Sequence, residues 1–177
     1  MDSCIKLPAV GKVDDLTAKT WDHRGRTGIR QIFVSYGSAG VHALRFQYVI
    51  WSIISGSSSA VLSQVFGTIR LTDFQTVQLD YPREHLTSVT IYKSSDQFCG
   101  IGGIAFTTDM GKSHGPFPSN PTGSPVRYHI GDGNQFGGFH GNATETALTS
   151  IGDEDIPVRR YGESDSESNE YGSGNDI

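Results

Sequence analysis

The sequence has little cysteine, little charge and no long hydrophobic run. Its two cysteines, Cys4 and Cys99, have no second cysteine or histidine at metal-ligand spacing, which argues against a disulfide framework and a cysteine-based zinc site. The first eight residues lack the apolar stretch of a secretory signal. The most apolar segment, Phe46–Ile54, is far shorter than the roughly 20 residues that span a bilayer. We therefore expect a cytoplasmic protein with no membrane span.

Signals for catalysis and for helices are also absent. The six histidines form no helical metal-binding pair, and no Gly-x-Ser-x-Gly elbow or P-loop occurs. The glycines of residues 100–105 fit a loose dinucleotide-binding pattern, but a β-rich run follows them instead of a helix. No stretch places apolar residues at a helical period, which argues against bundles and doubly wound folds. We expect no enzymatic activity, no cofactor and no metal site.

Glycine is abundant, with 22 among 177 residues, and aromatic residues make up 10% of the chain. Short apolar runs alternate with turn residues, as is typical of one all-β domain with about ten to twelve strands. The candidate strands are Thr20–Asp22, Ile29–Tyr36, Val41–Ile50, Val61–Phe66, Thr76–Leu79, Leu86–Tyr92, Gly102–Thr108, Val126–Ile130, Gln135–Gly141 and Ala147–Ile151. Prolines predict turns at Tyr81–Glu84 and His114–Pro118.

Charge is distributed unevenly along the chain. Residues 1–152 carry 12 basic and 11 acidic side chains, whereas residues 153–177 carry 2 and 8. The second segment is rich in serine and glycine and has too few apolar side chains to offset the entropy of ordering it, so we predict a disordered acidic tail. The near-neutral remainder has no clustered basic face, which argues against a nucleic-acid partner.

Several sequence blocks together carry a family resemblance. In chain order they are Trp21–Asp22, Gly28–Gly37, Val77–Val89, Ile104–Thr108, Gly115–Phe117, Gly138–Gly141 and Ile151–Gly152. With these blocks the chain resembles the jacalin-related lectins, which implies a β-prism of three four-stranded Greek-key sheets with pseudo-threefold symmetry. The resemblance further implies a lectin domain over residues 10–152, with an N-terminal extension at 1–9 and the tail at 153–177. It also implies a plant protein that self-associates.

The resemblance points to a sugar site whose ligands are changed in this chain. Mannose-binding members hold a hexose with the aspartate of a Leu-Asp-Ala-Ile-Gly loop, and Thr149 stands at that position. Asp14–Asp15 replace glycines of the second ligand loop. Backbone amides do not depend on side-chain identity, so those of residues 146–148 remain candidate sugar contacts, with Asp14 as a substitute carboxylate. The candidate carbohydrate-binding residues are therefore Asp14, Thr146, Ala147, Leu148 and Thr149.

Two functional hypotheses follow from the resemblance. The first is a non-enzymatic interaction module with a weakened or lost sugar site, which contacts partner proteins and itself. Its role would lie in plant defence, in the restriction of viral long-distance movement. The second is a working lectin for mannose-type glycans.

One segment, residues 51–55, has no counterpart in the family. It is either a lengthened hairpin that exposes Trp51 and Ile53–Ile54 to a partner, or the product of a misplaced exon junction. The sequence leaves both interpretations open.

Overall fold

The computed structural model describes residues 5–12, 16–23, 28–52, 54–70, 73–95, 100–130 and 134–157. These ranges contain fourteen strands and no helix. In chain order the strands are β1 (Ile5–Lys6), β2 (Val10–Gly11), β3 (Lys19–Asp22), β4 (Gly28–Gly37), β5 (Gly40–Ser52), β6 (Ser57–Leu62), β7 (Phe66–Gly67), β8 (Asp73–Gln78), β9 (Leu86–Lys93), β10 (Ile101–Thr108), β11 (Ser113–Phe117), β12 (Ser124–His129), β13 (Asn134–Ala143) and β14 (Leu148–Pro157).

The strands form three antiparallel sheets. Sheet 1 has the order β1-β14-β13-β3, with β2 also paired to β14. Sheet 2 has the order β6-β5-β4-β8, with β7 also paired to β5, and sheet 3 has the order β11-β10-β9-β12. The strands β5, β10 and β14 contact one another in pairs, so each sheet packs against the other two. The predicted all-β architecture of three sheets is confirmed, with a fifth short strand in two of them.

Alternation along the strands builds a single hydrophobic core. In β10, Ile101, Ile104 and Phe106 are fully buried, and in β9 Val89 and Ile91 face the same interior. Successive side chains of a strand point to opposite faces, so each sheet supplies one apolar face. Burying each such large side chain stabilises the fold by about 1.5–3 kcal/mol.

A cluster of aromatic rings joins sheet 1 to sheet 2. Trp21 of β3 stacks on Phe66 of β7 with ring centroids 4.0 Å apart, and Phe46 of β5 stacks on Phe139 of β13 at 4.7 Å. Phe136 extends the cluster along β13, with its ring 4.6 Å from that of Phe139. Because rings from both sheets interleave, this contact fixes the position of the edge strand β3.

Two strand predictions differ from the structure. The predicted turn His114–Pro118 lies largely in β11, an edge strand whose pairing with β10 is irregular. At a sheet edge, Pro116 can face outward without removing a ladder hydrogen bond, so the proline does not prevent a strand. The predicted strand Val61–Phe66 is split between β6 and β7, because Ser63 leaves the ladder and its Oγ accepts the N–H of Phe46 at 3.0 Å.

Strands at both ends of the chain extend beyond residues 10–152. Strand β14 continues to Pro157, past residue 152, because β13 pairs with it as far as Asn134. Strand β1, within the predicted N-terminal extension, adds to the other side of β14 through Ile5 and Lys6. The remainder of the predicted tail, residues 158–177, lies outside the described residues.

The segment without a family counterpart continues the β5–β6 hairpin. The two strands pair without a register shift from Gln47 opposite Leu62 to Ser52 opposite Ser57, and Ile54 at the tip is fully exposed. The segment therefore forms the far end of this hairpin. Ile53 and the side chain of Trp51 lie outside the described residues.

The buried carboxylate of Glu84 stabilises the connection between β8 of sheet 2 and β9 of sheet 3. Glu84, fully buried between β8 and β9, accepts hydrogen bonds from the N–H of Asp80 at 2.9 Å, the hydroxyl of Thr108 at 2.9 Å and the ammonium of Lys112 at 2.8 Å. Burial alone would raise the pKa of Glu84, but these donors, Lys112 foremost, lower it to about 2. The charged form is therefore the one that the fold stabilises.

We predict that this carboxylate makes stability depend on pH below 4.5. In the unfolded chain Glu84 takes up its proton near its ordinary pKa of 4.5, whereas in the folded protein it does so only near 2, so the free energy of unfolding falls as the pH is lowered across that range. Denaturant unfolding followed by circular dichroism should show a shallower pH slope for Glu84→Gln. At pH 7 the free energy of unfolding of this variant should be lower than that of the wild type by roughly 1.5–3 kcal/mol.

The control is Arg83→Gln, which removes an exposed ion pair between Arg83 and Asp80 in the same turn. Such surface pairs contribute about 0–1 kcal/mol, so this variant should retain the wild-type pH slope. If the free energy of unfolding of the wild type and of Glu84→Gln depended equally on pH, Glu84 would not be the source of the pH dependence.

Candidate functional site

The predicted sugar-binding residues lie at the turn between β13 and β14. Thr146 is exposed at the turn, whereas Ala147, Leu148 and Thr149 are buried, with exposed fractions of 4%, 0% and 3%. Asp14, predicted as a substitute carboxylate, lies outside the described residues. The structure therefore brings four of the five predicted residues together, and only Thr146 faces solvent.

The hydroxyl of Thr144 closes this turn from within. Its Oγ1 accepts the N–H of Thr146 at 3.3 Å and the N–H of Ala147 at 3.1 Å, while the N–H of Thr144 donates to the carbonyl of Ala147 at 2.9 Å. Threonine side chains commonly form such local bonds to the backbone. Two of the three amides predicted to contact a sugar are thus engaged inside the turn.

Thr149 sits where several chain segments meet. Its carbonyl accepts the N–H of Lys12 at 2.7 Å, and Gly11 and Gly100 approach the same oxygen so closely that a Cβ at either position would lie 2.2 or 1.9 Å from it. The Thr149 hydroxyl is buried and has no hydrogen-bond partner among the described residues. The carbonyl of Thr149 is therefore covered by backbone, and the residue as a whole is buried.

An open cleft lies beside the turn. It has a volume of about 740 Å³ and is lined by β3, by the segment from Gln64 to Gly67 and by the turn residues 144–146. Lys19 and Glu145 place charges of opposite sign at this cleft, and Trp21 forms part of its wall. The indole N–H of Trp21 is buried without a hydrogen-bond partner in the described part of the chain.

A second cavity of about 420 Å³ shares the lining residues Thr20, Trp21 and Phe66 with this cleft. A separate cavity of about 600 Å³ lies between sheets 2 and 3, where the rings of Tyr36 and Phe117 lie 5.7 Å apart beside Asp73. The residues that line these cavities come from strands distant in sequence.

Neither Thr144 nor the cleft was predicted from the sequence. A local signal for Thr144 exists. A threonine hydroxyl commonly accepts hydrogen bonds from the backbone N–H groups two and three residues further along the chain, and so stabilises a turn. No local signal identifies the cleft, because Lys19 and Gln64 become neighbours only when sheets 1 and 2 pack together.

Two histidines, His23 and His140, have hydrogen-bonded partners within the fold. The Nδ1 atom of His23 lies 2.6 Å from the hydroxyl of Tyr48, and His140 Nε2 donates to the carbonyl of Leu7 at 2.8 Å. Burial, together with the nearby charge of Arg70, lowers the pKa of His42. Within the described residues, no three His, Cys, Asp or Glu side chains are placed to hold a metal ion, and no helix could span a membrane.

Comparison with known proteins identifies the domain. The jacalin-like lectin domain matches residues 11–153, which is most of the chain. The chain belongs to the jacalin-like lectin family. As a member of this family of carbohydrate-binding, non-enzymatic proteins, it carries the predicted lectin fold.

Two relatives from Arabidopsis thaliana show how far the similarity of this jacalin-like chain extends. It is 32% identical to Protein RESTRICTED TEV MOVEMENT 1 over 154 residues, which cover 84% of each protein. It is 31% identical to Jacalin-related lectin 2 over 166 residues, which cover 86% of each.

Solved structures of jacalin-type lectins share the fold. Artocarpin in complex with mannotriose superposes with a TM-score of 0.70 at 21% identity, covering 88% of this chain and 99% of that chain. The mannose-binding lectin from Champedak superposes with a TM-score of 0.71 at 22% identity and the same coverage. These similarities confirm the β-prism prediction.

We predict that the close approach at Thr149 makes Gly11 indispensable. In Gly11→Ala, the backbone φ of 120° and a Cβ placed 2.2 Å from the Thr149 carbonyl both oppose the substitution, so the folded yield and melting temperature should fall steeply. The matched control is Gly111→Ala, whose φ of 73° is also left-handed but whose Cβ would meet open space. The free energy of unfolding of this control variant should fall by only about 1–2 kcal/mol. Similar losses for both variants would contradict the close-contact explanation.

Proposed function

We propose that this jacalin-like domain is a binding module that acts through protein contacts in plant defence, in the restriction of viral movement, and that its family sugar position does not hold a hexose. The observation that carries the proposal is the turn closed by Thr144, which engages the amides of Thr146 and Ala147. A second supporting observation is Thr149, which is buried and has no carboxylate to offer.

The free energies of sugar binding and of the lost hydrogen bonds favour this proposal. A millimolar sugar affinity corresponds to about −4 kcal/mol. Each charged hydrogen bond that is lost removes roughly 1.5–3 kcal/mol. Loss of the aspartate at the Thr149 position, combined with amides that are already bonded, leaves little of that free energy.

The defence role is supported by the similarity to Protein RESTRICTED TEV MOVEMENT 1, which extends over 84% of both proteins. Protein contact is supported by exposed apolar side chains on sheet 2 and its hairpin, among them Ile54, Leu62 and Phe74 with exposed fractions of 100%, 46% and 48%. Exposed apolar surface is a common feature of protein interaction sites.

A second candidate function is recognition of a mannose-type glycan in the cleft beside β3. Its support is the unpartnered indole N–H of Trp21 together with the polar residues Lys19 and Glu145 at the same cleft. Sites of this kind combine an apolar wall with a few polar groups.

We predict that calorimetric titration of methyl mannoside into the full chain gives no saturable heat in the low-millimolar range. Thr149→Asp should not by itself bring measurable binding, because the side chain at this position is buried and the amides of Thr146 and Ala147 are already bonded to the Thr144 hydroxyl. Thr149→Asn is the matched control, since it has the same shape without the charge, and circular dichroism verifies that both variants are folded.

Saturable binding by the wild type at low-millimolar concentration would overturn the proposal in favour of the glycan function. Titration of Trp21→Phe, which removes the indole N–H donor and part of the ring that forms the cleft wall, would then locate the sugar. Weaker binding by this variant places the sugar beside β3, and unchanged binding places it elsewhere.

A further inference from the structure

The groove between sheets 2 and 3 combines aromatic walls with a carboxylate. Its walls include the rings of Tyr36 from β4 and Phe117 from β11, whose centroids lie 5.7 Å apart. Both residues are half-buried and pack against the core, so the fold fixes their positions. Pro116 and Pro118 add to the apolar wall beside Phe117. The volume of about 600 Å³ is within the range of ligand sites.

Asp73 places a negative charge next to the Tyr36 ring. The two residues are direct partners in the pairing of β8 with β4, so their side chains lie side by side on the same face of sheet 2. Asp73 is exposed, and its carboxylate forms no ion pair or hydrogen bond with any described residue. Of the described residues that line the groove, none is basic. The groove is therefore suited to a cation and not to an anion.

A cation bound at Asp73 would also contact an aromatic ring. A guanidinium held by this carboxylate would lie beside Tyr36, and arginine favours both charged hydrogen bonds and contact with aromatic rings. A single arginine side chain would leave Phe117 and the two prolines of the groove uncovered. An occupant that matches the whole surface therefore has a basic residue next to a rigid apolar segment.

We propose that this groove binds a proline-rich segment of a partner protein in the polyproline II conformation, with an arginine of that segment at Asp73. The inference rests on the proposed function, because it names the chemistry of one protein partner of the module. Grooves lined by aromatic side chains are the usual binding sites of such segments, whose preformed conformation costs little entropy to order.

The polar groups of the groove also favour this conformation. A polyproline II segment has no internal hydrogen bonds, so its carbonyls are free to accept one. The hydroxyl of Tyr36 has no hydrogen-bond partner among the described residues and is a suitable donor. Gly37 and Gly115 line the groove without side chains, so the backbone of the segment has room to approach. A helical segment would offer few free carbonyls, because its own amides bond to them.

Fluorescence anisotropy of labelled peptides mixed with the full chain tests the groove. The probe is a run of prolines with an arginine at each end. One comparison peptide has glutamate in place of arginine, and the other has glycine and serine in place of proline. The wild type should bind the probe saturably and each comparison peptide at least roughly tenfold more weakly, because each lacks either the charged hydrogen bonds or the rigid apolar surface.

Variants of two residues assign binding to the groove. Asp73→Asn should weaken binding of the probe by roughly tenfold or more, and Asp73→Lys should reverse the preference, so that the glutamate peptide binds more tightly than the probe. Tyr36→Phe removes only a hydroxyl. It should weaken binding of the probe by roughly two- to tenfold and leave the preference for arginine over glutamate unchanged. Circular dichroism verifies that these variants are folded.

The matched control is Glu145→Gln, which removes a carboxylate from the cleft beside β3 and should bind the probe like the wild type. The inference would be overturned by a wild type that does not bind the probe, by equal binding of the glycine–serine peptide, or by an Asp73→Asn variant that binds like the wild type. The sugar titration concerns the position of Thr149 and not this groove, so the two proposals fail separately.

Discussion

Close contact of backbone with backbone sets how the three sheets meet. Each pair of sheets touches through a glycine: Gly40 of sheet 2 lies against the carbonyl of Ile101 in sheet 3, Gly100 beside sheet 3 lies against the carbonyl of Thr149 in sheet 1, and Gly67 of sheet 2 lies against the amide of Leu148 in sheet 1. A Cβ at these positions would lie 2.2, 1.9 and 2.9 Å from those atoms. Because no side chain intervenes, the sheets approach closely enough to bury one common core.

The same contact governs the candidate site. Thr149 lies in the contact between sheets 1 and 3, so its carbonyl is covered by glycine and its side chain is enclosed. The turn before it is held by the Thr144 hydroxyl, which satisfies amides that would otherwise be available to a ligand. The aromatic stack of Trp21 on Phe66 then fixes β3 beside the turn and forms the wall of the adjacent cleft.

Several elements were predictable because their signals are local. The alternation in β4 and β9 identified half-buried strands, and the blocks around Trp21 and Val77–Val89 identified the family. The strand β11 was missed because its proline signals a turn unless the strand is known to lie at an edge, which is a property of the assembled sheet. The end of β14 was missed for a similar reason, since its acidic residues are ordered by pairing with β13 and β1.

The sequence by itself determined the all-β class and the lectin family, because strand alternation and family blocks are properties of neighbouring residues. The tertiary structure alone decided that Ala147, Leu148 and Thr149 are buried, that Glu84 is a charged group inside the protein, and that β11 is an edge strand. Each of these depends on which strand lies beside which. Burial, pKa and edge exposure arise from contacts between segments far apart in the chain, and no local pattern encodes them.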